Sequence, residues 1–200
     1  MINRRIFLEV AAASALPAIA IAQPNGTALQ TEVPTRVAVH TVLIDTRHAP
    51  GRTVGERLRA AGAQVHALPD GDVTQVWRQR VGPAWRQQPV TIAGLTASPA
   101  LFCLEELALG CGLRVVFHAE HIVHEEGRTE HRLLRGASAA GITARELPLA
   151  GLLWPSRIAQ VIAAHANLPG RERFGRSWAA LHPSLPPGAQ LLTSWIIAAT

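Results

Sequence analysis

VTIAGLTASPALFCLEELALGCGLRVVF, residues 90–117, reads as strand, helix, strand. Val90 to Leu95 is an apolar run of strand length. Ser98 followed by Pro99 marks a helix start, with the serine as N-cap and the proline at the first helical position. Leu101, Leu104 and Ala108 recur at helical spacing until Gly110 and Gly112 close the helix, and a new strand begins at Leu113 and runs to Val116. A helix between two strands is the signature of a crossover joining parallel neighbours. The nearly continuous apolar character of this helix suits one covered on most sides.

The same alternation extends towards the N-terminus. Arg36 to Asp45 reads as the first strand and Ala63 to Leu68 as the second. Between them Thr53 and Glu56 have the spacing of a capping box, with Val54, Leu58 and Ala61 on one face and Gly62 as the stop. Asp72 caps a following helix with Val73, Val76, Trp77 and Val81 inward, and Gly82-Pro83 is expected to break it before Trp85. Four strands alternating with three helices predict an α/β fold, a three-layer sandwich on a mostly parallel sheet, Rossmann-like or flavodoxin-like. Beyond Phe117, Glu125-Glu126-Gly127-Arg128 reads as the turn of a β-hairpin joining His118–His124 to Thr129–Leu134, an extension towards the C-terminus. A helix over Pro155–His165 with Ile158, Val161 and Ile162 on one side comes next, then a Pro-rich loop at Pro183–Pro187. Leu191–Ala199 is too short to cross a bilayer and is expected to dock on the core as strand or helix, or to serve as an exposed partner-binding element.

At the other end, Arg4 and Arg5 precede an apolar stretch from Val10 to Ala22, with Ala20 and Ala22 as an A-x-A cleavage site before Gln23. The stretch is shorter than the ~20 residues a membrane span needs and is interrupted by Pro17, so no stable membrane anchor is expected after cleavage. Arg4-Arg5-Ile6-Phe7-Leu8 resembles the twin-arginine signal family, with Asn3 and Glu9 standing where that family often has Ser or Thr and Lys. The resemblance, confined to the signal, implies the twin-arginine export machinery as a partner, folding before export, and a periplasmic or secreted domain; ordinary secretion is the alternative route. The expected organisation is a signal peptide over 1–22, a flexible lead-in over 23–35 and a single α/β domain over 36–200.

About 178 residues remain after the signal, enough for one core. The net charge of +5 comes from arginine alone, since the chain has no lysine. No arginine run is interleaved with aromatics as a nucleic-acid groove requires, so a nucleic-acid partner is not expected. Cys103 and Cys111 lie ~12 Å apart along one helix, beyond the ~7 Å a disulfide tolerates, and are expected as buried free thiols.

Ligands of open α/β sheets bind outside the carboxyl ends of the strands, near helix N-termini. The residues following each strand are Asp45, Thr46, Arg47 and His48; Asp70 and Asp72; Gly94, Thr96 and Ser98; then His118, Glu120 and His121. Asp45, Thr46, Arg47, His48, Asp72, Thr96 and Ser98 form the candidate ligand set, and Arg47 favours a carboxylate or phosphate ester. A sharper constellation is metal-binding: imidazoles and carboxylates crowd the hairpin, and strand alternation would put His118, Glu120 and His124 on one face, joined by His131 if it stands opposite Ile122. A divalent metal is then the cofactor to consider. Ser98 with Asp45 and His118 could compose a hydrolase triad, but Pro99 makes Ser98 read as a helix cap. G-x-G-x-x-G, the P-loop and G-x-S-x-G are all absent. The sequence therefore points to an exported small-ligand-binding or accessory protein, with a metal-assisted hydrolase or oxygenase as the alternative and a purely structural partner as the third option.

Overall fold

The computed structural model describes residues 39–136, 142–143, 145–165 and 185–199. They belong to the second of two units into which the chain divides, 1–30 and 31–200. The signal, the lead-in and the start of the Pro-rich loop at Pro183 lie outside the described residues.

The elements in order are β1 (Thr41–Asp45), α1 (Ala49–Ala60), β2 (Val65–Leu68), α2 (Thr74–Val76), a π turn (Trp77–Val81), α3 (Gly82–Gln87), β3 (Ile92–Ala97), α4 (Ser98–Leu109), β4 (Leu113–Val123), β5 (Thr129–Arg135), α5 (Glu146–Leu149), a 3-10 turn (Gly151–Leu153), α6 (Trp154–His165) and β6 (Gln190–Ala199). The strands make one six-stranded sheet in the order β2-β1-β3-β6-β4-β5. β1 pairs in parallel with β2 and β3, whereas β6 is antiparallel to both β3 and β4, and β5 is antiparallel to β4.

The α/β class holds, but the sheet is mixed and mostly antiparallel rather than mostly parallel. The reason is β6. Its sequence LLTSWIIA is apolar at nearly every position, and such a strand is stable only with both faces covered. It therefore enters between β3 and β4 instead of lying outside as a partner-binding element, and residues 192–197 are all buried. Because β6 opposes both neighbours, β1 to β4 still run in one direction, and the order β2-β1-β3 of a doubly wound sheet survives around the insertion. The hairpin is likewise no appendage. Its first strand is the continuation of β4, and β5 is the sheet's edge.

The step from β1 to β2 goes one way along the sheet and that from β2 to β3 the other, so their helices fall on opposite faces. α1 and α6 cover one face through Val54, Leu58, Ile158 and Ile162, packed against Ile44, Leu95 and Ile196. α3 and α4 cover the other through Trp85, Leu101 and Leu104, packed against Leu43, Ile92, Trp195 and Ile197.

Local signals fared unevenly. α1 begins at Ala49, so Thr53 lies inside it and its hydroxyl donates to Ala49 O at 3.3 Å; the capping box with Glu56 does not form. Asp72 does act at a helix start, its carboxylate accepting the Thr74 amide at 2.8 Å. Pro83 does not break the helix, because the π turn lets the Gly82 amide reach Trp77 O, five residues back, and absorbs the proline's missing donor. Ser98 is the first residue of α4, with Ala97 as N-cap. α4 is not covered all round, since Phe102 is 63% exposed. Both cysteines are free, but Cys103 is exposed and Cys111 only partly buried, contrary to their expected burial.

Gly94 is where the insertion is tightest. A Cβ there would meet Leu43 O at 2.5 Å and the Trp195 indole at 2.6 Å, so the tryptophan of β6 fills the space beside a strand position that must lack a side chain. Gly94→Ala is expected to destabilise the fold by about 2 kcal/mol or more, and Gly94→Val to prevent folding, as overpacking of a core forces backbone shifts; urea denaturation followed by tryptophan fluorescence measures both.

Candidate functional site

The register sets polar side chains in a row across the sheet. Ile44 pairs with Leu95, so the next residues, Asp45 and Thr96, are neighbours; Thr96 pairs with Thr193, and Thr193 with Glu120. Asp45, Thr96, Thr193 and Glu120 are all buried. Thr96 accepts a hydrogen bond from the Trp195 indole at 3.0 Å, and the Thr193 hydroxyl donates to Thr96 O at 3.2 Å. Buried polar groups are tolerated when so bonded.

At the end of β1 the Asp45 carboxylate receives Arg47 Nε at 2.9 Å and Arg47 Nη2 at 2.6 Å, and the Arg47 backbone amide at 3.2 Å. Burial by itself would push this carboxyl up; the bonds from Arg47 and the nearby His48 outweigh it and hold Asp45 below the usual carboxylate range. The same bonds raise Arg47. Gly71, at φ +73°, leaves the space the guanidinium occupies, since a Cβ there would collide with Arg47 Nη2. His48 is the N-cap residue of α1, and its Nδ1 lies 2.7 Å from Gln190 Oε1 at the start of β6. Just past the end of β3, Ser98 opens α4 with its Oγ buried and without a hydrogen-bond partner among the described residues. Asp45, Thr46, Arg47, His48, Thr96 and Ser98 thus gather at the adjoining ends of β1 and β3. Asp72 sits further out, on a cleft of about 280 Å³ with Asp70, His66 and Arg80, while Thr46 lines a second cleft of about 170 Å³ with Arg52 and Glu56.

The hairpin histidines divide differently from the sequence expectation. His131 stands opposite His121, not Ile122, because Gly127 at φ +82° closes a short loop in which the His124 amide bonds Arg128 O. A shift of one residue transfers a side chain to the other face. His118 and Glu120 share a face as expected, in register with Trp195 and Thr193 on the α4 side, whereas His131 joins His121 on the side facing α6. His124 bonds Glu130 at 3.0 Å, and Glu130 is also bound by Arg128. The four proposed ligands do not form one set, and no group of three or more metal-ligating side chains gathers among the described residues.

On the α6 side a different constellation stands. His121 is buried, with Nε2 2.8 Å from Ser194 Oγ and Nδ1 2.8 Å from His131 Nδ1. Trp154, the first residue of α6, stacks on His121 with ring centroids 4.4 Å apart and meets the edge of His131 at 5.2 Å. Burial pushes His121 far below its ordinary value, with His131 and His118 adding to the effect, and burial lowers His131 to about 4. Sequence reading missed Ser194 and Trp154. The available signal was the Thr193-Ser194 pair inside an otherwise apolar strand.

Compared with known protein families, curated proteins and solved structures, the chain matches none.

The two neutral histidines make stability depend on pH. Their folded values lie below the unfolded value near 6.5, so the unfolded chain binds more protons in acid, and stability is complete above pH 6.5 and declines as the pH falls towards about 4. His131 alone should contribute a loss of roughly 2–3 kcal/mol over that window. Urea midpoints at pH 7.5 and 4.5 test it: His131→Leu should flatten the difference, and a midpoint unchanged between the two pH values would contradict the assignment.

Proposed function

We propose that this chain is exported and acts as a small-ligand-binding or accessory domain, holding an anion-bearing molecule at the adjoining ends of β1 and β3. The single observation that carries the reading is the Asp45–Arg47 pair. A buried carboxylate grips two nitrogens of the guanidinium and fixes its plane, while 47% of the Arg47 side-chain surface stays open. A guanidinium so oriented has donors left for a carboxylate or phosphate oxygen. α1 begins at Ala49 and α4 at Ser98, just past these strand ends, and their N-termini add favourable potential for negative charge. His48, Thr46, Thr96 and Ser98 supply further polar groups at these strand ends, while Asp72 lies further out, on the cleft with Asp70 and His66. Export is read from Arg4, Arg5 and the Ala20-x-Ala22 site. No helix among the described residues is long and apolar enough to cross a membrane.

Inorganic phosphate and succinate are the first probes. Either, at a concentration about a hundred times its dissociation constant, should stabilise the protein by about 2.7 kcal/mol, and Arg47→Gln should weaken that binding by about tenfold or more. Equal thermal shifts in the parent chain and in Arg47→Gln would rule this site out. For export, the protein recovered from the periplasm of an expressing bacterium should begin at Gln23, and replacing Arg4 and Arg5 by Lys should leave it in the cytoplasm; intact-mass analysis of the fractions reads both.

A further inference from the structure

We propose that Ser194, His121 and His131 form a serine nucleophile relay for hydrolysis of apolar carboxylic esters, shut beneath Trp154 and opened when residues 146–154 lift at an apolar interface. The relay lies on the α6 side of the sheet, so it stands independently of the ligand site at Asp45.

The geometry is that of an activated hydroxyl. Ser194 Oγ and His121 Nε2 are 2.8 Å apart, within the reach a general base requires. The other nitrogen of His121 is tied at 2.8 Å to His131 Nδ1, which orients the ring. With His121 carrying its proton on Nδ1, the Nε2 lone pair faces the serine. Ser194 attacks the ester carbonyl carbon while its proton passes to His121 Nε2. The ester C–O bond then breaks, and the alcohol leaves with that proton. Water, deprotonated by the same nitrogen, attacks the acyl-serine, releasing the acid and restoring Ser194.

The cover explains how so buried a serine could act. Leu147 and Trp154 face inward and are buried, whereas Leu149, Leu152 and Leu153, between them in sequence, are 86%, 87% and 67% exposed. The segment begins with the four-residue α5 and one 3-10 turn, which opens at Gly151 with φ +51°, a conformation glycine tolerates best. α5 packs on β5, the strand that carries His131. Three outward leucines on so short an element are an unusual concentration of exposed apolar surface. The acyl chains of an aggregated ester substrate are the surface chemically suited to cover them. Lifting the segment would remove Trp154 from His121 and admit water, which relieves the burial that suppresses the ring's basicity.

The test is covalent labelling of the full-length chain by a fluorophosphonate probe, with and without micelles of a non-ionic detergent, read as a mass shift on the peptide containing Ser194. The adduct should form at Ser194 at least ~10-fold faster with micelles and be absent from Ser194→Ala, whose fold is checked by near-UV circular dichroism. His131→Asn, which keeps an acceptor for His121, should label within about threefold of the parent, while His131→Leu should label ~10-fold more slowly and shift the pH profile of the labelling rate. No adduct at Ser194 under either condition in the folded chain overturns the relay. Equal rates with and without micelles overturn the leucine-gated opening.

Discussion

The structure depends on a strand that belongs to the middle of the sheet and to the end of the described chain. β6 is hydrogen-bonded on both sides, to β3 and β4, and apolar on both faces, so each helical layer packs partly on it: Ile196 and Leu192 meet the α1–α6 side, and Trp195 and Ile197 the α3–α4 side. Leaving it out would separate β3 from β4 and expose two cores together. That double dependence accounts for Gly94, whose missing side chain makes room for the Trp195 indole. A single late strand thereby converts a parallel winding into a mixed sheet without reversing any of the first four strands.

β6 also brings together the polar groups that give the two faces their different chemistry. Its consecutive residues Thr193 and Ser194 point to opposite sides. Thr193 joins the row with Thr96 and Glu120, and Ser194 meets His121 under Trp154. Hydroxyls and imidazoles in a sheet interior are costly unless bonded, and here the hydrogen bonds run between strands distant in sequence. The Asp45–Arg47 pair at the sheet's edge follows the same logic with charge, the carboxylate surrendering its solvation and receiving three donors from one residue.

Much of the architecture was legible because it is local. The apolar runs at Thr41–Asp45 and Ile92–Ala97, the helical spacing of Leu101, Leu104 and Ala108, and the hairpin around Gly127 all follow from period and turn chemistry. Asp45, Arg47, His48, Thr96 and Ser98 were legible as a group because strands running in one direction bring their ends to one edge. His118 and Glu120 opposite His121 followed from strand alternation, but the face of His131 was not legible, since the register of a hairpin turns on one loop residue and a count that is off by one sends His131 to the wrong side. The capping box at Thr53 and the break at Pro83 failed for a related reason: packing chose where α1 starts, and a π turn accommodated the proline.

The sequence by itself determined the α/β alternation, the direction shared by the first four strands, and the polar character of the edge where they end, because these depend on contacts within a few residues or on the crossover rule. Only the tertiary structure decided where the segment Gln190–Ala199 goes, and with it the mixed sheet, the burial of Thr193 and Ser194, and the meeting of Ser194 with His121. Strand insertion is a choice among non-local pairings of similar local merit. It is made by which gap can bury both faces of an apolar strand, and no stretch of sequence contains that gap.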